Sequence, residues 1–373
     1  MPSVRILVHQ IGQLGDTIVS VPALRAIRSH FGPGAWIGLL HDTAEKLVTA
    51  QMVLQDSRLV DQFIPYEPEK TIVGKLRTMS SLWLRLRRQH FDAVVSVLPS
   101  DRPRWALLRD RIFYRACGIS RLIGFRRFRE SEIHPRTWAG RPARMQNEAV
   151  IRLQRLLSDG VGVADQDYLQ LPLLSVSREC RTMVDGWLQH RRKFPTRPLI
   201  AVCPGCKKPG NAWPPERFLE VARRLVGLHA VELVILGGSA ERSLADGLTA
   251  DLKGQAIHAA GCFSVAESAA LLSRCSLSIG LDTGTTHLAA AVGVPCVVLQ
   301  SASSFPGNWD PLGENHSVLR AAVPCEGCLR QKCSTEGHPC MRGLTVEIVW
   351  EAIEAAVSRL GCGQLSAVSA GRE

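Results

Sequence analysis

The sequence predicts an α/β protein made of two Rossmann-like, doubly wound parallel-sheet domains. Three observations predict it. Short apolar runs of strand length alternate with longer helical stretches, and strands that alternate with helices imply a parallel sheet. The alternation breaks off and begins again near position 198, so the chain holds two such halves. A length of 373 residues also exceeds what one hydrophobic core ordinarily reaches.

In the first half, residues 5–9, 36–40 and 93–98 read as short buried strands, separated by helices around 18–29 and 74–89. The second half opens with a strand at 198–202. A helix from about 215 to 227, a strand at 232–236, a helix near 240–252 and a strand at 256–259 follow. Between 165 and 198 the pattern is interrupted by Pro172, a charged helix over 178–193 and a Pro195–Pro198 turn. The expected domains are therefore 1–176 and 177–360, closed by a long helix over 345–360 and a polar, small-residue tail over 361–373. Two similarly wound sheets facing each other would form a cleft, and such sheets bind ligands beyond the carboxyl ends of their strands.

Composition narrows the class. Hydrophobic residues make up 46% of the chain, yet no run approaches the ~20 apolar residues a membrane span needs. Met1-Pro2-Ser3-Val4-Arg5 enters a strand directly, without the charged-then-apolar layout of a signal peptide. A cytoplasmic chain is expected, with its twelve cysteines mostly reduced or holding metal. The net charge of +11 is concentrated: from Arg102 to Arg144 twelve arginines face three acids, Asp110, Glu130 and Glu132. Arginine's planar fork suits phosphate and carboxylate, which makes Arg102, Arg104, Arg126 and Arg127 candidate contacts for an anionic acceptor. Trp105, Leu108, Ile112 and Phe113 fall at near-helical spacing among Arg104, Arg109, Arg111 and Arg115. That pattern fits either a solvated basic face or a helix lying on an anionic bilayer. No nucleic-acid module accompanies the basic patch, so nucleic acid is not an expected partner.

The segment from Ser276 to Pro295 carries the most chemistry. An apolar strand runs into a turn of small residues and then an alanine-rich helix, whose first N–H groups would point at the strand's carboxyl end. Asp282 at the mouth of the turn is placed to accept hydrogen bonds from sugar hydroxyls. Thr283 and Gly284 keep the turn small, and the N–H groups of Thr285, Thr286 and His287 are expected to face phosphates. Together these suggest a nucleotide-sugar site. Each residue also has a plainer reading: Asp282 as a helix cap, His287 as a core histidine. Asp16, after Gly15 at the start of the first helix, is either a carboxylate projecting into the cleft or another cap held by the helix dipole. A dehydrogenase is disfavoured, because the first turn reads Gly12-x-x-Gly15 without the Gly-x-Gly-x-x-Gly that cradles a pyrophosphate, and Asp42 only weakly imitates its ribose-binding acid.

Several blocks occur in order along the chain: Leu14-Gly15-Asp16 with Pro22-Ala23-Leu24, then Pro204-Gly205, then Trp213-Pro214-Pro215-Glu216-Arg217-Phe218. The last is Asp282-Thr283-Gly284-Thr285-Thr286-His287, followed by an alanine-rich helix and Gly293-Val294-Pro295. This series resembles glycosyltransferase family nine, the ADP-heptose:lipopolysaccharide heptosyltransferases and their relatives. The resemblance implies the GT-B architecture, acceptor domain first and donor domain second. It implies Asp16 as general base with Gly15 beside the acceptor, and Glu241 as the acid that holds the nucleotide ribose. The implied reaction is inverting transfer of a heptose or related sugar, from an ADP-sugar or other nucleoside-diphosphate sugar, to a lipopolysaccharide-core or other envelope saccharide. The implied acceptor is an anionic, lipid-linked saccharide, and the implied location is cytoplasmic, with peripheral contact at the cytoplasmic face of the inner membrane. No cofactor beyond the co-substrate is required.

One departure stands out. Many relatives carry Lys-x-Trp-Pro, whereas the register here gives Asn211-Ala212-Trp213-Pro214. The missing charge would come from Lys207 or Lys208. Its loss also motivates two alternatives: a catalytically silent nucleotide-sugar or saccharide-binding protein of the same fold, or transfer to a protein acceptor. Retention of both Asp16 and Asp282 argues against silence. Cys325, Cys328, Cys333 and Cys340, with His338 nearby, have the density of a zinc knuckle. Structural zinc, free thiols and a disulfide all remain open there. A catalytic metal is not expected, since no Asp-x-Asp is placed to hold a diphosphate-bound cation. Cys203-Pro204-Gly205-Cys206 has the spacing of a redox pair, but its place at the head of the donor loop disfavours that role.

Overall fold

Five parallel strands form the first sheet, in the order β3-β2-β1-β4-β5, and six form the second, in the order β11-β10-β9-β6-β7-β8. The computed structural model describes residues 4–43, 48–69, 71–164, 166–252 and 254–367, the side chains of 361–367 excepted. They cluster in two units, one of Met1–Thr137 and Ala143–Ser175, the other of Trp138–Pro142 and Val176–Glu373.

The first unit runs β1 (Arg5–His9), α1 (Leu14–Phe31), β2 (Trp36–Asp42), α2 (Ala50–Leu54), β3 (Gln62–Tyr66) and α3 (Ile72–Gln89). It continues with β4 (Ala93–Ser96), α4 (Arg104–Ala116), β5 (Arg121–Ile123), α5 (Glu130–Ile133) and α6 (Glu148–Ser158). The central strands are near-continuous apolar runs because helices cover both faces of a parallel sheet. Ile6, Leu7, Val8, Val94 and Val95 are accordingly fully buried. β3 escapes sequence reading because Pro65 interrupts it. A strand at the sheet edge tolerates that loss of a donor.

Two helices of this unit differ from the pattern their sequences suggest. α4 buries Ala106, Leu107, Asp110 and Tyr114, and leaves Trp105, Leu108 and Ile112 about 60% exposed or more. Phe113, expected beside them, instead packs half-buried against the core around Leu82, Leu86 and Tyr114. α3 buries only Leu82 and Leu86, and its first turns expose Ile72, Val73 and Leu76. The Trp83 indole of α3 donates to the Ala116 carbonyl at the end of α4, at 2.9 Å.

The second unit runs α7 (Arg178–Gln189), β6 (Leu199–Cys203), α8 (Pro215–Leu228), β7 (Glu232–Ile235), α9 (Arg242–Asp251), β8 (Ala256–His258), α10 (Val265–Leu272) and β9 (Leu277–Leu281). α11 (Gly284–Ala291), β10 (Cys296–Leu299), β11 (Ser317–Leu319), α12 (Pro339–Arg342) and α13 (Val346–Ala367) complete it. Its core gathers Ile200, Val202, Phe218, Leu225, Leu233, Ile279 and Val297 with Val349 and Ile353 of α13. Trp213 is buried among them, stacks edge-on against Phe218 at 4.9 Å and donates to the Leu344 carbonyl at 2.8 Å. The Trp-Pro-Pro block thus anchors the loop that precedes it. α13 carries helix on to Ala367, past Gly361 where a tail was expected. The remainder of that tail, 368–373, lies outside the described residues. No helix among the described residues is long and apolar enough to cross a membrane.

Candidate functional site

Each sheet has a topological switch point, where consecutive strands leave in opposite directions and a crevice opens beyond their carboxyl ends. In the first unit it lies between β1 and β4, and in the second between β6 and β9. Asp16 follows β1 and Asp282 follows β9, so each stands at the switch point of its own sheet.

Asp16 is the third residue of α1 rather than its cap. Its Oδ2 accepts the Gln13 N–H at 3.0 Å, which satisfies one orphan donor of the helix end. The capping role and an exposed carboxylate therefore coexist, with 24% of the side chain open to solvent. Gly12 makes the approach possible: at φ +112°, an added Cβ would lie 2.4 Å from the Asp16 Cγ. The Gly12 N–H donates to Asp42 Oδ1 at 3.2 Å. Burial raises the Asp42 pKa, with the Asp16 charge acting the same way.

Sequence reading missed what lies behind Asp16. Arg152 of α6 is fully buried; its Nη1 donates to the Asp16 carbonyl at 3.0 Å and to Ser20 Oγ at 2.7 Å. Its Nη2 lies 3.4 Å from Asp16 Oδ1, and its Nε donates to Glu148 Oε1 at 2.9 Å. Glu148, also buried, accepts the Ser100 N–H at 2.8 Å and the Ser100 hydroxyl at 2.7 Å. Arg155, one turn further on, donates to the Ser96 and Leu98 carbonyls, and burial lowers its pKa to about 10. The available signal was a helix with charges at positions 148, 152 and 155, one face, interleaved with Ala149, Ile151, Leu153 and Leu156.

The arginines expected at an acceptor divide into two kinds. Arg102 is clamped through Nε at 3.0 Å to the buried carboxylate of Asp110, which Arg109 also binds. Its charge is thus largely spent inside the protein. Arg126 pairs with Glu132 at 3.1 Å and remains half exposed. Arg104 and Arg127 are exposed, and Gly15 is half-buried in the first turn of α1.

In the second unit, α11 begins at Gly284 with Thr283 as its cap. The N–H groups of Thr286 and His287, expected to face phosphates, donate to the Thr283 carbonyl at 3.1 and 3.3 Å. The helix starts too early to leave them free. The N–H groups of Gly284 and Thr285, at the first two helical positions, are the ones without an intrahelical acceptor. The Thr283 hydroxyl is buried without a hydrogen-bond partner among the described residues. Thr286 Oγ1 donates to the Leu281 carbonyl at 2.6 Å.

Burial is the main force on the ionisable groups here. It raises the Asp282 pKa to about 6, against the pull of the Lys208 charge and of the Gln300 amide, with Asp310 pushing it further up and Arg320 down. It lowers the His287 pKa to about 4, so the imidazole is neutral at pH 7. His287 Nε2 lies 4.0 Å from Asp282 Oδ1, and its ring meets Trp309 edge-on at 6.0 Å. Lys207 and Lys208 are exposed in the loop after β6. Asn211 is buried in a short 3-10 turn at the end of that loop. Glu241 folds back to accept the Gly238 N–H at 2.7 Å. It packs so tightly that a Cβ on Gly205 would sit 2.2 Å from the Glu241 Cγ. Gly205 links the two loops by having no side chain.

Cys325, Cys328, Cys333 and Cys340 line one cavity of about 230 Å³, together with Gly210, Ser301 and Arg330. Among the described residues no three His, Cys, Asp or Glu side chains converge as a metal-binding group. Cys340 instead lies 3.5 Å from Ser301 Oγ, and Cys333 points at the Thr335 carbonyl. His338 Nε2 sits 3.0 Å from the Gly210 carbonyl. Cys203 is buried on β6 with its thiol pKa raised to about 12 by desolvation, a poor nucleophile in the place where a redox pair would need a reactive one.

The family model described as glycosyltransferase family 9 (heptosyltransferase) matches residues 79–338. Lipopolysaccharide heptosyltransferase 2 of Salmonella typhimurium is 25% identical over 44% of this chain and 48% of its own. Lipopolysaccharide heptosyltransferase 1 of Pseudomonas aeruginosa is 29% identical over 38% of this chain and 39% of its own. The matched stretch thus spans half or less of these curated relatives. Among solved structures, a family 9 glycosyl transferase from Veillonella parvula superposes with a TM-score of 0.74 at 21% identity. It covers 95% of this chain and 98% of its own. The ADP-heptose heptosyltransferase II of E. coli gives 0.67 at 20% identity, covering 95% and 99%. These likenesses establish the two-sheet GT-B fold.

Proposed function

The chain belongs to glycosyltransferase family 9, and from that premise we propose that it is an inverting glycosyltransferase. It moves a heptose or related sugar from ADP or another nucleoside diphosphate to an anionic, lipid-linked envelope saccharide. The observation that carries the reading is the placement of two acids, Asp16 and Asp282, each at the switch point of its own sheet.

In this reading residues 1–176 hold the acceptor and 177–360 the donor. Asp16 takes the proton of the acceptor hydroxyl as its oxygen attacks the anomeric carbon. The bond from that carbon to the diphosphate breaks, and the leaving charge is met by the Gly284 and Thr285 N–H groups and by Lys208. Lys208 replaces the lysine that relatives carry at the position of Asn211, which its interaction with Asp282 supports. Lys207 lies next to it in the same loop. Asp282 and Glu241 bind the hydroxyls of the donor. Arg104, Arg126 and Arg127 are the acceptor arginines, with Gly15 beside them, and Arg102 shapes their loop through Asp110. The reaction is assigned to the cytoplasmic face of the inner membrane, where the exposed apolar and arginine-rich sides of α3 and α4 suit an anionic bilayer.

The test pairs two variants with ADP-heptose as donor. Asp16→Asn loses turnover by about 10²–10⁴-fold while ADP affinity stays, and Asp282→Asn weakens donor binding. Undiminished turnover in folded Asp16→Asn would sink the base assignment. Nucleotide-sugar affinity without turnover in the native protein, over a panel of acceptors, would establish the silent binding protein that the neutral Asn211 motivates.

A further inference from the structure

Arg152 and Glu148 form a buried chain that ties together the two loops flanking the first sheet's switch point. Both are almost wholly inaccessible. Arg152 reaches the first turn of α1, just after β1, through both the carbonyl and the carboxylate of Asp16, and Glu148 reaches the loop after β4 through the N–H and hydroxyl of Ser100. Burying such a pair costs more than an apolar contact of the same shape would. If α6 needed only to pack against α1, leucine in place of arginine would serve.

We propose that Arg152 is the positioning residue for Asp16, using its planar fork to fix the carboxylate relative to its own backbone. The inference rests on the reading of Asp16 as the base. One branch of the guanidinium, Nη1, holds the Asp16 main chain, and the other, Nη2, lies against Oδ1. Oδ2 is held by the Gln13 N–H, and Gly12, by having no side chain, leaves the carboxylate the space that a Cβ there would take, 2.4 Å from the Asp16 Cγ. The carboxylate thus has a partner at each oxygen and still leaves 24% of its side chain open to solvent, where an acceptor hydroxyl would arrive. Ser20 completes the device by accepting from Arg152 at 2.7 Å while donating to the Asp16 carbonyl at 2.8 Å. Lysine offers one point charge on a flexible stem, so it cannot engage the carbonyl and the carboxylate with fixed geometry.

Arg152→Lys and Arg152→Met are compared with Asp16→Asn and the native protein, well below the melting temperature of each. Near-ultraviolet circular dichroism and the urea midpoint establish that each variant is folded, and ADP affinity, which the proposed function assigns to the other unit, is measured beside them. Displacing a reacting group by about 1 Å costs on the order of 100-fold. The expected result is that kcat falls roughly tenfold in Arg152→Lys and about 100-fold in Arg152→Met, while KM for the donor changes less than about twofold. A merely structural role would lower melting temperature without that split. Should Arg152→Met fail to fold, Arg152→Lys decides alone. Native kcat in folded Arg152→Lys, or a loss confined to KM, overturns the inference. If Asp16→Asn itself turns over normally, the base reading falls first, whatever Arg152 does. If Asp16→Asn is dead while both Arg152 variants are fully active, only the positioning role falls.

Discussion

The two switch points share a topology and differ in how they hold an acid. At the first, Asp16 lies against a buried guanidinium that is itself balanced by Glu148. At the second, Asp282 has no ion pair with a buried cation among the described residues; burial outweighs the pull of Lys208, the Gln300 amide and Arg320 and pushes its pKa up to about 6, beside a neutral histidine. The first arrangement keeps a negative charge in place by covalently separate but interlocked side chains. The second leaves it under-solvated, a state that ligand hydroxyls can relieve. The same strand order therefore supports one acid held against a buried ion pair and one acid dominated by burial.

The largest expected effect tests the first arrangement. Glu148→Ala removes the counter-charge of a buried arginine and should cost about 3–5 kcal/mol of stability, read as a lower urea midpoint. A midpoint unchanged within error would mean that Arg152 relaxes to solvent and that the interlock is not tight. The next effect tests the second arrangement. The folded Asp282 pKa of about 6 stands above the ordinary value of 3.8, so its contribution to stability is complete below 3.8 and lost as pH rises through 6. The loss amounts to about 3 kcal/mol at 1.36 kcal/mol per unit. Asp282→Asn should therefore match the native protein at pH 3.5 and exceed it in stability at pH 8 by up to about that amount, while binding the donor less well. Equal melting temperatures at both pH values would place the acid in a polar environment and erase the contrast. The smallest effect lies outside both sites: Leu108→Glu should leave stability within about 0.5 kcal/mol and turnover of a soluble acceptor unchanged, but reduce co-sedimentation with anionic vesicles. Undiminished sedimentation would remove α4 from any bilayer contact.

Much of the fold was legible because central parallel strands announce themselves as apolar runs. β1 was read to the residue, and β6, β7 and β8 within one. Among the elements that escaped were β3 with its proline, β5 with three residues, β11 at the far edge, α6 with its buried charges, and the short helices α2, α5, α10 and α12. The acids at the switch points were legible from the small residues beside them. What stood behind Asp16 was not, because Arg152 lies 136 positions away and charges along one helix face, here Glu148, Arg152 and Arg155, ordinarily mean a solvent-exposed face. Two of the three N–H groups expected to face phosphates, those of Thr286 and His287, are taken up by the Thr283 carbonyl because the helix starts at Gly284. Near-helical spacing on α4 was read correctly as a stripe, yet only the structure turned Trp105, Leu108 and Ile112 outward and Phe113 inward.

The position of α6 along the chain has a consequence for synthesis. All five strands of the first sheet have been synthesised once Ile123 is added, but the helix that carries Arg152 ends only at Ser158. A chain ending between those points holds every strand of the sheet while Asp16 lacks the guanidinium beside it. Domains generally fold as units during translation, and here the last helix delivered to the first unit carries the guanidinium that lies beside Asp16. A fragment ending shortly after β5 would carry every strand of that sheet and still present an unbraced Asp16.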